Sequence, residues 1–237
     1  MNKSPTDRPI ILQNQAGVLQ QILDYVQHGY DQYVSGILPL DKLEGFVRKM
    51  TLKYPIWHDK HARSRRKRAG LGNVVMILYQ KDAEVYWWML VQRGDCMDAM
   101  HERLVPTEQM VVFGCRLTQM TRKTQNKPAR TWGMTHERYE YWRQTIIDAV
   151  RSREPYRMLG VLVELYKTPG FHGCRVQVGK LATLYRGEVK RASLTKIAPQ
   201  PPTRLGYVRR LPLQCQSVRQ VIRRQRHTAR LSGTVHP

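Results

Sequence analysis

The sequence predicts an α+β fold, on two observations. Apolar residues at helical spacing dominate both the first 55 residues and the stretch after Thr135, and between them lie two adjacent runs of Val, Ile, Tyr, Trp and Met that read as paired strands. The resulting order of helix, helix, sheet, helix, helix is not the alternation of βαβ units, and no glycine-rich phosphate loop follows a strand.

From Asn14 to Val34 the residues Val18, Leu19, Ile22, Val26, Tyr30 and Tyr33 recur mostly at spacings of three and four, the stripe of an amphipathic helix that Gly36 would end. Asp41 is placed to cap a second helix carrying Leu43, Phe46, Val47 and Met50 on one face and closing before Tyr54 and Pro55. Residues 1–55 are therefore expected to form an N-terminal helical hairpin that serves packing. A basic linker at 56–72 leads to a body at 73–196. Its first two strands, Asn73–Gln80 and Val85–Arg93, flank a four-residue hairpin loop at 81–84. Both faces of these strands are largely apolar, so the small, mostly antiparallel sheet should be covered on one side and partly on the other.

Met110–Leu117 is a third strand candidate and Pro128–Met134 a weaker fourth. Thr135 can cap a helix running through Tyr139, Trp142, Ile146, Ile147 and Val150, and another spans Tyr156–Tyr166 before Thr168, Pro169 and Gly170 stop it. Gly173–Arg191 reads as a further, basic helix. Gly179 and Gly187 weaken that reading and leave a strand open in its first half. Pro199, Pro201, Pro202 and Pro212 interrupt the chain beyond Ala198, so 197–237 is expected to be an Arg-rich C-terminal appendage that orders on a partner.

The 237 residues carry 40 Lys and Arg against 18 Asp and Glu, a net charge of +22. The excess is segregated. Residues 1–55 carry only +1 and 71–120 carry −2, whereas 56–70, 121–160 and 161–196 carry +5 each and 197–237 carry +8 with no acid at all. A scaffold with separate binding faces for a polyanion gives this pattern, while solubility alone favours mixed signs. Arg outnumbers Lys 27 to 13. The planar guanidinium grips phosphate with two parallel hydrogen bonds and stacks on bases, which favours nucleic acid over a generic anionic surface. No apolar run reaches the length of a membrane span, no leader segment is evident, and no free-standing amphipathic helix suits a membrane surface. Cys96, Cys115, Cys174 and Cys215 are too scattered for a zinc ribbon or a disulfide framework and fit buried, reduced thiols in a cytoplasmic protein.

Four sets of residues are candidates for contact with RNA or DNA. The first is the run Arg63, Arg65, Arg66, Lys67 and Arg68 before Gly70 and Gly72, whose mutual repulsion a phosphate would relieve. The second is a cationic rail on the 173–191 helix, with Arg175, Lys180, Arg186, Lys190 and Arg191 opposite Val178, Leu181, Leu184, Tyr185 and Val189. The third is the tail stripe Arg219, Arg223, Arg226 and Arg230, on a helix that Ser217 could cap and that Val218, Val221 and Ile222 could dock. Each of these could equally be a solvated face. The fourth is Trp87 and Trp88, which as neighbours on a strand point to opposite faces, so that one could stack on bases.

Catalysis has weaker support. Asp95, Asp98 and Glu102 could gather around a divalent ion, and His58 and His61 could serve acid–base cleavage of RNA, but neither set shows convergence in sequence. No catalytic residue, metal or cofactor is assigned. The expectation is a nucleic-acid-binding protein that clamps the backbone within a larger assembly of protein subunits, such as an RNA-guided effector or a DNA-mobilisation complex. The alternatives are a nuclease acting on the bound strand and an adaptor for an acidic protein.

Overall fold

The computed structural model describes residues 9–94, 102–121, 128–208 and 214–231. The fold is α+β, divided into two compact units, one built from 1–107 and 211–237 and the other from 108–210.

In the first unit, β1 (Ile10–Leu12) leads into α1 (Gln15–Gln27), which Asn14 caps by accepting a hydrogen bond from the Gly17 amide. Then come β2 (Gln32–Pro39), α2 (Leu43–Lys53), α3 (Lys60–Arg68), β3 (Asn73–Lys81), β4 (Glu84–Gln92) and the two-residue β5 (Val105–Pro106). The last pieces, β9 (Cys215–Ser217) and α7 (Val218–Leu231), return from the far end of the chain. The sheet order is β5-β2-β4-β3-β1-β9, antiparallel except where β1 lies parallel to β3.

The β3–β4 hairpin is tighter than expected. Lys81 pairs with Glu84, leaving a two-residue turn whose Asp82 takes φ 53°, a left-handed conformation that Asp tolerates. Strand β3 is buried on both faces: Val74, Met76 and Leu78 pack with Leu43, Val47 and Met50 of α2 and with Val218 and Val221 of α7, while α1 lies against β3 with Val18, Leu19, Ile22 and Val26 buried.

Three sequence expectations need correction here. The N-terminal helical hairpin is not formed, because Gln32–Pro39 is a strand paired along its whole length with β4. Tyr30 and Tyr33 mimic helical spacing by coincidence. Gly36 does not stop a helix but sits in the strand beneath the Trp87 indole, where a Cβ would come within 2.9 Å of the ring. The 56–72 linker is largely helix α3, capped by Asp59, which accepts from the Ala62 amide at 2.7 Å. The described part of 197–237 is not an appendage: β9 pairs with β1 and Val218 and Val221 are buried, together worth about 3–6 kcal/mol as an upper estimate.

The second unit holds a three-stranded antiparallel sheet, β6 (Val111–Val112), β7 (Cys115–Thr121) and β8 (Pro128–Met134), followed by α4 (His136–Arg151), α5 (Pro155–Tyr166) and α6 (His172–Arg191). Thr135 caps α4 as the sequence predicts, accepting from the Arg138 amide at 3.3 Å. Helix α6 is continuous, so no strand forms in its first half; it packs on β8 and α4 with Gly173 against the Trp132 carbonyl, where a Cβ would come within 2.5 Å. The proline-rich stretch after Ala198 belongs to this unit, tied down by the hydroxyls of Tyr185 and Tyr166, which donate to the carbonyls of Pro199 and Pro202 at 2.8 and 2.7 Å. Among the described residues no helix is long and apolar enough to cross a membrane.

Candidate nucleic-acid interface

The three cationic stripes meet different fates. On α3 three of the five cations of the run are held by backbone carbonyls. Arg66 donates through Nε and Nη2 to the Gly72 carbonyl at 3.2 and 3.0 Å, and Lys67 reaches the His28 carbonyl at 3.2 Å. Arg63 donates to the His58 carbonyl and lies over the Tyr25 ring at 5.6 Å. Arg65 and Arg68 are exposed. All four cations of the last turn sit where the helix dipole favours positive charge.

On α6, the predicted core residues Val178, Leu181, Tyr185 and Val189 are buried and Leu184 is half-buried. Two of the five rail cations have partners on the protein, Arg191 through a surface ion pair that leaves its side chain 72% exposed. Arg175 turns inward, donating to the Leu205 carbonyl at 2.8 Å and stacking 3.4 Å from the Tyr207 ring centroid, and Arg191 pairs with Glu188 at 2.9 Å. Lys180, Arg186 and Lys190 remain on the exposed face, interleaved with Gly179, Thr183 and Gly187.

Helix α7 realises its stripe most fully. A capping box opens it: the Ser217 hydroxyl accepts from the Gln220 amide at 3.2 Å and the Gln220 side chain accepts from the Ser217 amide at 3.0 Å. Docking through Val218, Val221 and Ile222 then turns Arg219, Arg223 and Arg226 into one groove of about 540 Å³, faced from α2 by Arg48. The acid of the groove is Glu44, which pairs with Arg226 at 2.6 Å with both side chains more than half exposed. The Arg230 side chain lies outside the described residues. Arg48 escaped sequence reasoning because its α2 face gains a partner only when α7, some 170 residues later, is laid beside it; its place on the polar side of that helix was the available signal.

No family model, curated protein or solved structure matches the chain.

Trp87 and Trp88 do point to opposite faces, and both are packed. Trp88 is 6% exposed, which corrects the base-stacking expectation to a packing role for that residue, whereas Trp87 is half-buried, lying over Gly36 with its ring 5.0 Å from that of Phe46. Asp95 and Asp98, like Cys96, lie outside the described residues. Glu102 accepts from the Tyr54 hydroxyl at 3.1 Å and pairs with Lys53 at 3.8 Å. Among the described residues, no three His, Cys, Asp or Glu side chains are grouped to hold a metal.

His58 precedes the Asp59 cap and His61 lies in the first turn of α3. Burial, reinforced by Arg66, lowers the His58 pKa below the usual histidine value, and the amide of Ala62 lowers that of Asp59. Cys115 and Cys174 are both fully buried beside each other; the Cys115 thiol and burial push the Cys174 thiol far up, while Cys174 lowers that of Cys115.

Proposed function

We propose that the chain binds RNA or DNA through backbone phosphates, as one subunit of a nucleoprotein assembly, with the α2–α7 groove as the principal contact. The observation that carries this is the convergence of Arg219, Arg223 and Arg226 with Arg48 around one open groove. Four guanidiniums facing one cleft repel one another, and a polyphosphate backbone both relieves that repulsion and releases its own counterions. Glu44 is no obstacle, since an exposed ion pair contributes only ~0–1 kcal/mol and exchanges readily for phosphate. Lys180, Arg186 and Lys190 on α6 offer a second phosphate-contacting face. The assembly part draws support from Tyr156, Leu159 and Val163, exposed together on α5 as apolar surface of the kind that protein partners cover.

Anisotropy titrations of single- and double-stranded RNA and DNA across a salt series test the reading. Engagement of roughly six phosphates gives a log–log slope of about −4 to −5, depending on strandedness. Replacing Arg219, Arg223 and Arg226 together by Gln should make that slope shallower by about 2–3 and leave the melting temperature unchanged. A slope near zero, or a triple variant that binds like wild type, would remove the groove from the interface.

A further inference from the structure

Between α1 and α3 the first unit holds a cleft of about 440 Å³, within the size range of small-ligand sites. Its walls are two helix faces, Asp24, Tyr25 and His28 from the end of α1 and Lys60, Arg63 and Lys67 from α3. The floor is a pair of buried amides, Asn73 at the start of β3 and Gln92 directly opposite it at the end of β4. Asn73 Nδ2 donates to the Arg63 carbonyl at 3.1 Å and to Gln92 Oε1 at 3.0 Å, and Gln92 Nε2 donates to the His28 carbonyl at 3.0 Å.

These carbonyl acceptors settle which way each amide points, and they leave Asn73 Oδ1 as a buried acceptor with no hydrogen-bond partner on a residue only 2% exposed. Such an orphan costs about 1–3 kcal/mol unless something donates to it. The site is also shaped by backbone: Gly29 takes φ +95°, and a Cβ there would lie 3.2 Å from Gln92 Nε2. Tyr30, which meets Tyr25 edge-on at 5.1 Å, has its pKa pushed up to about 12 by burial and so stays a neutral phenol.

We propose that this cleft binds a single nucleotide, its base against Tyr25 over the amide floor and its phosphate at Lys60 and Lys67. The proposal rests on the nucleic-acid reading above and deepens it, adding base contact to phosphate contact. A base edge offers donors and acceptors to the Asn73 and Gln92 side chains that line the cleft, a base face stacks on a tyrosine, and a phosphate suits the cationic rim. An acidic peptide would satisfy the rim and leave the floor unmet. The nucleotide can be a strand end, a base splayed out of a single strand, or a free mononucleotide.

The test uses the full chain, the four nucleoside monophosphates as free probes by calorimetry, and oligonucleotides carrying 2-aminopurine at an internal or a terminal position. Ser64, exposed on the α3 rim of the cleft, becomes Trp in the first variant, which fills the cleft without changing charge. Tyr25→Leu removes the stacking ring and carries the same test if Ser64→Trp fails to fold.

Wild type should bind at least one mononucleotide or change the fluorescence of 2-aminopurine in the strand. Ser64→Trp and Tyr25→Leu should each weaken that signal tenfold or more and keep the salt slope for oligonucleotides. The Arg219, Arg223, Arg226 triple variant should do the reverse. A signal only from the terminal or only from the internal probe assigns a strand end or a splayed base, and mononucleotide binding without either assigns a free ligand. Cleft variants that fold and bind as wild type, or oligonucleotide binding with neither mononucleotide affinity nor a 2-aminopurine change, would overturn the proposal. Failure to bind any oligonucleotide would sink the functional reading instead, and the mononucleotide arm would still decide the cleft.

Discussion

Helices α3 and α7 are the two densest cationic segments of the described chain, and the protein treats them in opposite ways. Arg63 and Arg66 of α3 are held by the carbonyls of His58 and Gly72, and Lys67, still exposed, reaches the carbonyl of His28, so these contacts help hold α3 against β3 and α1. Arg219 and Arg223 of α7 are exposed along a groove, and Arg226 is held only by an exposed glutamate. The difference lies in what each helix end leaves nearby. The Gly70–Gly72 turn after α3 folds the chain back at once and presents the Gly72 carbonyl to Arg66, and the segments before α3 and after α1 offer the His58 and His28 carbonyls, whereas α7 starts from a satisfied capping box and lies on α2, whose facing side chains are Arg48 and Glu44. Charge density alone therefore says little about whether an arginine run is an interface.

The largest effect expected from breaking this contrast comes from removing residues 214–237. Loss of β9 and of Val218 and Val221 should cost the first unit about 3–6 kcal/mol, a large part of the stability of an ordinary domain. Urea denaturation measures it, and a truncated protein that melts like the full chain would reduce α7 to an appendage. Next in size, Arg66→Ala should destabilise by roughly 1–3 kcal/mol while hardly changing oligonucleotide affinity. Arg66→Lys should not restore stability, because an ammonium cannot reproduce the two-pronged contact with Gly72, whereas Arg223→Lys should keep most of the binding. Equal tolerance of Lys at both sites would erase the distinction.

A smaller effect is expected from Glu44→Gln, which frees Arg226 and should tighten oligonucleotide binding by up to about fivefold in low salt, consistent with an exposed pair. Unchanged or weaker binding would show that Arg226 does not face the ligand. The smallest concerns His58, whose NMR titration midpoint should lie below 6.5, first through burial and then through Arg66. Arg66→Ala should raise that midpoint without bringing it to 6.5, since burial remains. Because the unfolded chain binds this proton more tightly than the fold does, His58 should make stability decline as pH falls through about 6.5 and level off below the folded midpoint.

What the sequence determined by itself is local: the α+β class, the helices at 136–151 and 155–166, the β3–β4 pair, the Thr135 and Ser217 caps, and the arginine stripe of α7, while the first half of 172–191 stood open between helix and strand. Each depends on residues within a few positions of one another, where side-chain period and capping chemistry act directly. Tertiary structure alone decided the rest. Gln32–Pro39 became a strand because β4 offered it eight paired positions, against a helical spacing that carried no such partner. Strands β1 and β9 met because the edge of β1 was open to Cys215–Ser217, some 200 residues away. Whether an arginine faces solvent or a carbonyl, and whether Asn73 is left with an orphan acceptor over a cleft, depends on backbone brought in from elsewhere, and no spacing within a segment encodes that distance.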